Sequence, residues 1–468
     1  MAEDSIQTSI VDFALGLSLA DLSPADLRAA RIHTIDTFAS LIAGFSSPTS
    51  AISRRLAERL GGEGSSIIGT HARCAPDTAA FVNGTTAREI ELNDVYFSTA
   101  GAGAHPSDVL MPILAAAEYA RASGRAFMAA VLAAYEVYVA MSDRARITGF
   151  DQSTLAGIAT AVGAGKLLGL DRKQMMNCLA IVTVANNPLN QTRRNDLSMW
   201  KAAAAGQAGR AGVFAALAAA AGLEGPSLPF EGAQGWCKHV AQEPFELDGL
   251  GGSRLRIHDV MMKPRAACAA TISSILAAEK VAAGIGGPSN VASIVVTTYE
   301  DARRLVGSSP QHWNPTTRET ADHSIPYVVA AALADGTVGP RQFDDEHLVD
   351  PVIRGLMTKV SIAVDDTYSA AYAARPPRHY TSVTVNTADG RQVTGLAGGE
   401  QGDMAMARSD AEVEQKFVTI VEDFLGARRT RRALDQLWKL DEIDDVNGIA
   451  PLFARDAVQG REESACVV

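Results

Sequence analysis

The chain has 468 residues, enough for a large hydrophobic core and more than one domain. Hydrophobic residues make up 47% of it and charged residues 20%, which is ordinary for a globular protein. The formal net charge of −11 argues against a general nucleic-acid-binding protein. It also means that an anionic substrate would need a local cluster of cations to hold it.

The cysteines and the N-terminus favour a cytoplasmic protein without a membrane anchor. The five cysteines are scattered, odd in number and without a C-x-x-C pair, so neither a disulfide framework nor a zinc site is expected. The N-terminus is acidic and polar, unlike a signal peptide. The longest apolar run, residues 127–141, is short and contains Glu136, so no membrane span is expected.

Residues 7–265 are predicted to be almost entirely helical. Ser23, Pro24 and Asp26 form a helix start, with the serine as the cap and the proline in the first turn. Residues 126–141 are apolar on nearly all sides, which indicates a central helix. The helices predicted in this part cover residues 28–43, 108–122, 126–141, 153–168 and 202–221.

The composition changes after about residue 285, where β-branched runs appear. The run Val291–Thr298 predicts a strand, and Asp389 and Gly390 predict the turn of a hairpin. Further strands are predicted over residues 359–364, 380–387 and 391–394. Helices are predicted over residues 265–283, 321–333, 410–425 and 432–440.

These elements predict a mainly α fold in two parts. The first is a large all-helical domain over residues 1–264, completed by C-terminal helices within residues 405–468. The second is a smaller α+β domain over residues 265–404.

The strongest chemical candidate is a histidine that follows a glycine-spaced loop. Residues 91–98 include Asp94, the loop covers residues 100–104, and His105 comes next at the start of an apolar helix. The positive end of that helix would lower the pKa of His105 and keep the imidazole neutral, as a base requires. An equal alternative is a histidine that only caps the helix. Asp94 would hydrogen-bond His105 or a substrate, or else be a solvated loop acid.

Basic residues supply the remaining candidates. Lys263 lies between methionines and a proline, where desolvation would favour the neutral amine and make it a usable base. A snorkelling lysine at a domain boundary is the alternative. Lys201, Arg193 and Arg194 form the best local basic cluster for a polycarboxylate, although an ordinary solvated charge group is the commoner case.

Motifs of other enzyme classes are missing from the sequence. It contains no G-x-S-x-G elbow, no G-x-x-x-x-G-K-[ST] loop, no H-E-x-x-H and no strand–GxGxxG–helix unit. His, Cys and Asp residues do not cluster at metal-ligand spacing. An acid–base enzyme without a cofactor or metal is therefore predicted.

Several segments, in this order and spacing, resemble the MmgE/PrpD family, the 2-methylcitrate dehydratase group. They are residues 91–108, 112–137 and 166–170, Lys263 before a cysteine-containing helix, and residues 321–336. The resemblance implies a helical domain, a smaller α+β domain, an active site in the cleft between them, and a homodimer. It also implies chemistry at a carbon next to a carboxylate, without a metal or iron–sulfur cluster. Among the matching positions, Asp94, His105, Lys201 and Lys263 are associated with the active site.

The chain also departs from the family pattern. The family's dehydratases and decarboxylases usually carry a histidine where this chain has Asp151. Paired aspartates are usual where Asn93 precedes Asp94, and a histidine is usual on the helix after Lys263, near residues 269–272. Dehydration needs an acid for the departing hydroxyl, and a carboxylate at Asp151 puts that role in doubt.

Epimerisation needs no leaving group, so the leading prediction is a cofactor-independent epimerase. It would act on iminodisuccinate, as one branch of the family does, with His105 and Lys263 as the two bases. Lys201, Arg193 and Arg194 would hold carboxylates, and Asp94 and Asp151 would lie at the same site. The first alternative is a hydro-lyase of a 2-methylcitrate-like tricarboxylate. The second is a non-catalytic carboxylate-binding homologue. The only partners expected are a polycarboxylate and a second copy of the chain.

Overall fold

The computed structural model describes residues 3–98, 100, 103–194, 197–374, 377–399 and 408–455. Helices dominate both its N-terminal and its C-terminal parts. The first nine α-helices are α1 Ser5–Gly16, α2 Pro24–Gly44, α3 Pro48–Leu60, α4 Pro76–Arg88, α5 Leu110–Tyr119, α6 Gly124–Arg144, α7 Ser153–Leu167, α8 Arg172–Ala185 and α9 Trp200–Ala220. The others are α10 Ile272–Ala282, α11 Glu300–Val306, α12 Pro310–Trp313, α13 Arg318–Ala321, α14 Ile325–Asp335, α15 Asp345–Leu348, α16 Pro351–Met357, α17 Asp366–Ala373, α18 Asp410–Leu425, α19 Ala427–Trp438 and α20 Ala450–Phe453.

The helical part is built around α6, the helix that the sequence predicts to be central. All its residues from 127 to 142 are buried. This helix is long and apolar enough to cross a membrane, but 89% of its apolar stretch lies inside the protein. That environment is typical of a core helix.

Small residues let α9 pack closely against α4. A Cβ atom at Gly206 would lie 2.4 Å from the backbone oxygen of Phe81 and 2.9 Å from the backbone nitrogen of Thr85. Only glycine fits there without a backbone shift. The antiparallel packing brings Lys201, at the start of α9, beside Arg88, at the end of α4.

Two hydrophobic cores correspond to the helical and the α+β parts. The first contains buried residues up to Met262 and takes in the C-terminal helices, where Phe453 stacks on Phe38 with ring centroids 4.5 Å apart. The second contains Val95 and buried residues between 267 and 397. The mainly α fold class is therefore confirmed, while the predicted domain boundaries stay a prediction. The boundary at 404–405 and Cys466 lie outside the described residues.

The strands comprise two short ribbons and one four-stranded sheet. The ribbons lie in the part predicted to be all-helical. They pair β1 Ser65–Ser66 with β2 Arg73–Cys74, and β3 Tyr96–Phe97 with β4 Gly103–Ala104. The sheet contains β5 Val291–Thr298, β6 Val360–Val364, β7 Thr381–Thr387 and β8 Gln392–Ala397 in the order β6-β5-β7-β8. The β5–β6 pair is parallel, whereas β7 pairs antiparallel with both β5 and β8, the latter as the predicted hairpin.

Two predicted helices differ from the observed ones in ways that shape the site. The helix predicted over residues 265–283 begins only at Ile272, because the backbone nitrogen of Cys268 donates to the Asp322 carbonyl oxygen (2.9 Å) instead of joining a helix. The helix predicted over 321–333 is broken between α13 and α14. Ser324 caps α14 by accepting from the Tyr327 backbone nitrogen (3.1 Å), with Pro326 in the first turn.

Candidate active site

The β3–β4 ribbon brings Asp94 and His105 together. Its register pairs Tyr96 with Ala104, so Val95 falls opposite His105 and Asp94 lies one residue further along, within hydrogen-bond distance of the His105 ring. Thr99, Gly101 and Ala102 of the intervening loop lie outside the described residues. A two-way backbone bridge between Val95 and Met261 (N to O, 2.8 and 2.9 Å) attaches the chain before Lys263 to the ribbon.

The hydrogen bonding of His105 fixes its tautomer. Its Nδ1 lies 2.7 Å from the backbone oxygen of Asp94, which can only accept, so Nδ1 carries the proton and donates. Among the residues that the structure describes, Nε2 has no hydrogen-bond partner, and the ring is only half-buried. His105 therefore keeps an unprotonated Nε2 that no described residue occupies.

The charges around His105 keep it neutral. Burial, reinforced by the positive charges of Arg88 and Lys263, lowers its pKa well below the ordinary value. The direction agrees with the sequence prediction, but the cause differs. The residues after His105 form only a single 3₁₀ turn, Pro106–Val109, before α5 begins.

Asp94 is a supporting residue behind His105. Its buried carboxylate accepts hydrogen bonds from His33 Nδ1 (2.9 Å), the Tyr135 hydroxyl (2.8 Å) and the Ser107 backbone nitrogen (2.9 Å). Burial opposes ionisation, but the bonds from His33 and Ser107 lower the pKa of Asp94. With its carboxylate enclosed, Asp94 contacts His105 through its backbone oxygen, which suits the predicted hydrogen bond to His105 better than contact with a substrate.

Glu91 holds three cations at the centre of the site. Its Oε1 lies 2.7 Å from Arg88 Nη1 and 3.2 Å from Lys201 Nζ, and its Oε2 lies 2.8 Å from Lys263 Nζ. Burial opposes ionisation, but the charges of these three residues hold the pKa of Glu91 well below its ordinary range. Glu91 supplies one negative charge against the three positive charges of these partners, and cations of this kind suit the carboxylates of a polyanionic substrate.

Lys263 differs from its predicted surroundings. Its Nζ is buried, but it donates to both the carboxylate and the backbone oxygen (3.0 Å) of Glu91. Lys416 of α18 donates in turn to the Lys263 backbone oxygen (2.8 Å). The lysine is therefore held in an ion pair rather than left without a partner, which favours a role as a fixed cation over the predicted role as a base.

The predicted substrate-binding group near Asp151 is only partly assembled. Arg193 Nε lies 2.7 Å from Asp151 Oδ2, whose carboxylate has no exposed surface, whereas Arg193 is 22% exposed. Asp151 is thus paired with Arg193 and has no surface of its own for a substrate, while its role at the site stays a prediction. Arg194 is exposed and makes no ion pair with any described residue.

Asp108 is a buried carboxyl group beside this pair. It lies 3.5 Å from Arg88 Nε and accepts from the side-chain amides of Asn93 (3.3 Å) and Gln152 (3.4 Å). Burial raises its pKa to about 7, despite the nearby charges of Arg88 and Arg193.

The α+β part contributes a second histidine, His323. It lies at the break between α13 and α14, and its Nδ1 contacts the carboxylate of Asp322, which also lies 3.5 Å from Lys201 Nζ. Burial opposes protonation, but Cys268 and Asp322 raise the pKa of His323 to about 9. His323 is therefore protonated at neutral pH, and its side chain is 23% exposed.

Comparison with known proteins assigns the chain to a family. The MmgE/PrpD N-terminal domain model matches residues 8–248, and the MmgE/PrpD C-terminal domain model matches residues 266–440. The chain belongs to the MmgE/PrpD family. The predicted resemblance is thereby confirmed.

The curated proteins to which the chain is similar include 2-methylcitrate dehydratases and cis-aconitate decarboxylases. The chain is 27% identical to 2-methylcitrate dehydratase of Cupriavidus necator over 70% of this chain and 71% of that protein. It is 26% identical to 2-methylcitrate dehydratase of Salmonella typhimurium over 70% and 71%. It is 24% identical to cis-aconitate decarboxylase of Mus musculus over 83% and 80%. These names support the hydro-lyase alternative better than the iminodisuccinate branch.

This MmgE/PrpD site combines predicted and unpredicted residues. The predicted His105, Lys201 and Lys263 meet around Glu91, which the sequence interpretation gave no role. His323 and Cys268 occur in segments that carry the family resemblance, but neither was identified as a site residue. Within the described residues, no group of three or more His, Cys, Asp or Glu side chains is arranged to hold a metal ion.

Proposed function

We propose that this MmgE/PrpD protein is a cofactor-independent hydro-lyase of a 2-methylcitrate-like tricarboxylate. The observation that carries the proposal is a pair of accessible histidines at one cation cluster, with pKa values displaced in opposite directions. Displaced pairs of this kind separate a base from an acid at the same pH. The dehydratase names of the relatives support this chemistry over epimerisation.

His105 is the base in this mechanism. Its unprotonated Nε2 takes the proton from the carbon next to a carboxylate, and the electron pair of that C–H bond becomes the new carbon–carbon double bond. The Asp94 carbonyl oxygen on Nδ1 holds the ring in the required tautomer. Negative charge that develops on the adjacent carboxylate is stabilised by Arg88, Lys201 and Lys263.

His323 is the acid in this mechanism. It takes the role that is in doubt for Asp151, which stands where the family usually has a histidine. As the carbon–oxygen bond breaks, the imidazolium gives its proton to the departing hydroxyl group, which leaves as water. Asp322 keeps the ring charged and oriented. Arg193, held by Asp151, contacts a further carboxylate of the substrate.

Epimerisation of iminodisuccinate is the second candidate, because the same two histidines suit it. His105 would remove the α-proton and His323 would return one to the opposite face, without a leaving group. The arrangement of Asp151 favours this candidate to a limited extent, since it replaces a family histidine by a carboxylate engaged with Arg193.

Proton NMR in D₂O separates the two candidates. We expect purified protein to convert 2-methylcitrate to a product with an alkene signal, and not to exchange the α-protons of a single iminodisuccinate stereoisomer. Exchange of those protons with no alkene from 2-methylcitrate would overturn the hydro-lyase in favour of the epimerase. Binding of both compounds with neither reaction would favour the non-catalytic alternative.

Substitutions assign the two roles. We expect His105→Gln and His323→Gln each to lower kcat by about 10²–10⁴-fold, the usual contribution of a positioned acid or base. His347→Gln is a matched control, because His347 also pairs with an aspartate, Asp344 (2.7 Å), but on a different helix, α15. Full activity in either site variant would remove that histidine from the mechanism. The cytoplasmic location and the homodimer stay predictions.

A further inference from the structure

We propose that Phe97 is a positioning residue, whose ring fixes the β3–β4 ribbon on the α+β part and thereby sets the place of His105 relative to His323. This role rests on the proposed function, in which the two histidines are the base and the acid of one reaction. It follows from the two sides of the ribbon, which contact different parts of the molecule.

The ribbon is held by both parts of the molecule. Tyr96 and Phe97 are neighbours in β3, so their side chains point to opposite faces of the strand. The Tyr96 hydroxyl donates to the Asp143 carboxylate, 2.9 Å from each oxygen, near the end of α6 in the helical part. Phe97 instead packs against the hydrophobic core of the α+β part. The ribbon therefore spans the boundary between the two parts.

Three side chains of the α+β part form the aromatic surface that receives Phe97. The ring centroid of Phe97 lies 4.5 Å from that of His379 and 6.2 Å from that of Tyr372, which it meets edge to face. Tyr299 in turn stacks on Tyr372 (4.4 Å), and its hydroxyl lies 3.0 Å from His379 Nδ1. Aromatic pairs prefer particular geometries, so this cluster fixes the orientation of Phe97 better than aliphatic contacts would.

His379 offers Phe97 an uncharged ring. Burial lowers the pKa of His379 to about 4, so the imidazole is neutral at neutral pH. Its Nε2 is buried and has no hydrogen-bond partner among the residues that the structure describes. His379 therefore makes one hydrogen bond, to Tyr299, and otherwise packs as an aromatic side chain.

Phe97 is close along the ribbon to the residues that hold His105. Its partner in the register lies two residues before His105. On its own strand, Asp94 lies three residues before Phe97, and the Asp94 backbone oxygen accepts from His105 Nδ1 (2.7 Å). Val95, between them, is buried in the same α+β core. Because the ribbon is short and His323 belongs to the α+β part, the contact of Phe97 with that part fixes the spacing of the two histidines.

Histidine NMR tests this role without any need for activity. In protein labelled with ¹³C-histidine, the variants His105→Gln and His379→Gln assign the two imidazole signals. We expect Phe97→Leu, which removes the ring, to shift both signals. Phe97→Tyr keeps the ring and should shift the His105 signal less than half as much. A shift of the His379 signal alone would show a contact that does not reach His105, and would overturn the proposal.

Phe45 supplies the matched control. It is also half-buried and faces another ring, Phe424, with centroids 5.0 Å apart, but it follows α2 in the helical part. We expect Phe45→Leu to leave the His105 signal unchanged. Equal shifts in Phe45→Leu and Phe97→Leu would show that the loss of any ring disturbs the site, and would remove the special role of Phe97.

Turnover of 2-methylcitrate gives the second measurement. Phe97→Leu displaces the base but not the cations Arg88 and Lys201, so we expect kcat to fall by about 10–100-fold and KM to change by less than about threefold. Phe97→Tyr should restore kcat to within about threefold of the native value. Tyr372→Leu, which removes the second facing ring, should lower kcat and shift the His105 signal in the same way, and it replaces Phe97→Leu if that variant does not fold.

The outcomes separate the role of Phe97 from the reaction itself. An unchanged kcat in Phe97→Leu, or no recovery in Phe97→Tyr, would overturn the positioning role. Native protein that does not turn over 2-methylcitrate would instead contradict the hydro-lyase, and the His105 signal would still decide whether Phe97 positions that ring.

Discussion

The two histidines of the site show how the partner of an imidazole decides its charge. His105, on the helical side, donates to a neutral backbone oxygen and lies near Arg88 and Lys263. His323, on the α+β side, contacts the carboxylate of Asp322, and Cys268 also raises its pKa. Both rings lose solvation on burial, which disfavours the charged form. Only His323 has anionic partners strong enough to reverse that effect.

On the helical side the Asp94 carboxylate lies near His105 but does not contact its ring. The Asp94 carboxylate accepts hydrogen bonds from His33, Tyr135 and Ser107 instead. Asp94 therefore orients the His105 ring without forming an ion pair with it. On the other side, Asp322 contacts His323 directly. One cleft thereby contains a neutral and a charged imidazole at the same pH.

Removal of the Glu91 charge should have the largest effect on stability, because Glu91 binds cations near both histidines. In Glu91→Gln three buried cations lose their shared carboxylate, and we expect the free energy of unfolding to fall by about 3–5 kcal/mol. Urea unfolding followed by circular dichroism measures it. Activity should also fall, since Lys201 and Lys263 are no longer fixed.

The matched control for Glu91 is Glu279, which pairs with Arg265 at 2.7 Å but where both side chains reach solvent. Because solvent screens this pair, we expect Glu279→Gln to cost only about 1 kcal/mol. Equal losses in the two variants would show that the central cluster is not specially dependent on Glu91.

Asp108 shows whether burial on the His105 side of the site also disfavours the charged form of a carboxyl group. Its pKa is raised from 3.8 to about 7, so between those pH values the folded state binds more protons than the unfolded state. Stability therefore falls as the pH rises through this range. Asp108→Asn cannot ionise, and we expect it to be more stable than the native protein at pH 8 by up to about 4 kcal/mol, with little difference at pH 4.

Thermal or urea unfolding at the two pH values measures the Asp108 effect. Asp21→Asn is the control of opposite sign, because hydrogen bonds from Ser18 lower the pKa of the exposed Asp21. That variant should lose stability at pH 8 rather than gain it. An Asp108→Asn variant less stable than the native protein at pH 8 would contradict the assignment of Asp108 as a carboxyl group held neutral by burial.

The sequence predicts the helical side of this comparison better than the α+β side. His105 follows a glycine-spaced loop and precedes an apolar helix, and both features can be recognised locally. On the α+β side the four strands of the sheet agree with their predictions to within three residues, but the local structure around His323 does not. The sequence predicts one continuous helix over residues 321–333, and therefore does not identify His323 as a site residue. The start signal of Ser324 and Pro326 is of the same kind as that of Ser23 and Pro24, but continuous apolar spacing hid it.

The role of Glu91 could not be predicted from the sequence for a different reason. Arg88 lies three residues before it, but Lys201 and Lys263 are distant along the chain, Lys263 by 172 residues, and the packing of α9 on α4 and the Val95–Met261 bridge bring them to Glu91. No local pattern encodes such a meeting. The same holds for the pairing of Asp151 with Arg193, since either residue alone has the pattern of a surface charge.

The pH dependence of activity should separate the two histidines. A protonated His323 is required as the acid, so activity should fall about tenfold per pH unit above pH 9. A neutral His105 is required as the base, so activity should be retained down to well below pH 6.5. In His323→Gln the residual activity should lack the decline above pH 9. A variant that keeps this decline would assign it to another group.

Tyr135 gives the smallest effect and addresses the helical side alone. In Tyr135→Phe, Asp94 loses one of its three hydrogen bonds but keeps those of His33 and Ser107, so we expect about 1 kcal/mol less stability. Tyr327→Phe is the matched control, since this buried hydroxyl donates to the Gln342 backbone oxygen (2.6 Å) in the α+β part. Both variants should lose similar stability in urea. Only Tyr135→Phe should also lower kcat, by a few-fold, because Asp94 positions His105; an equal kcat in the two variants would show that Asp94 contributes stability but no orientation.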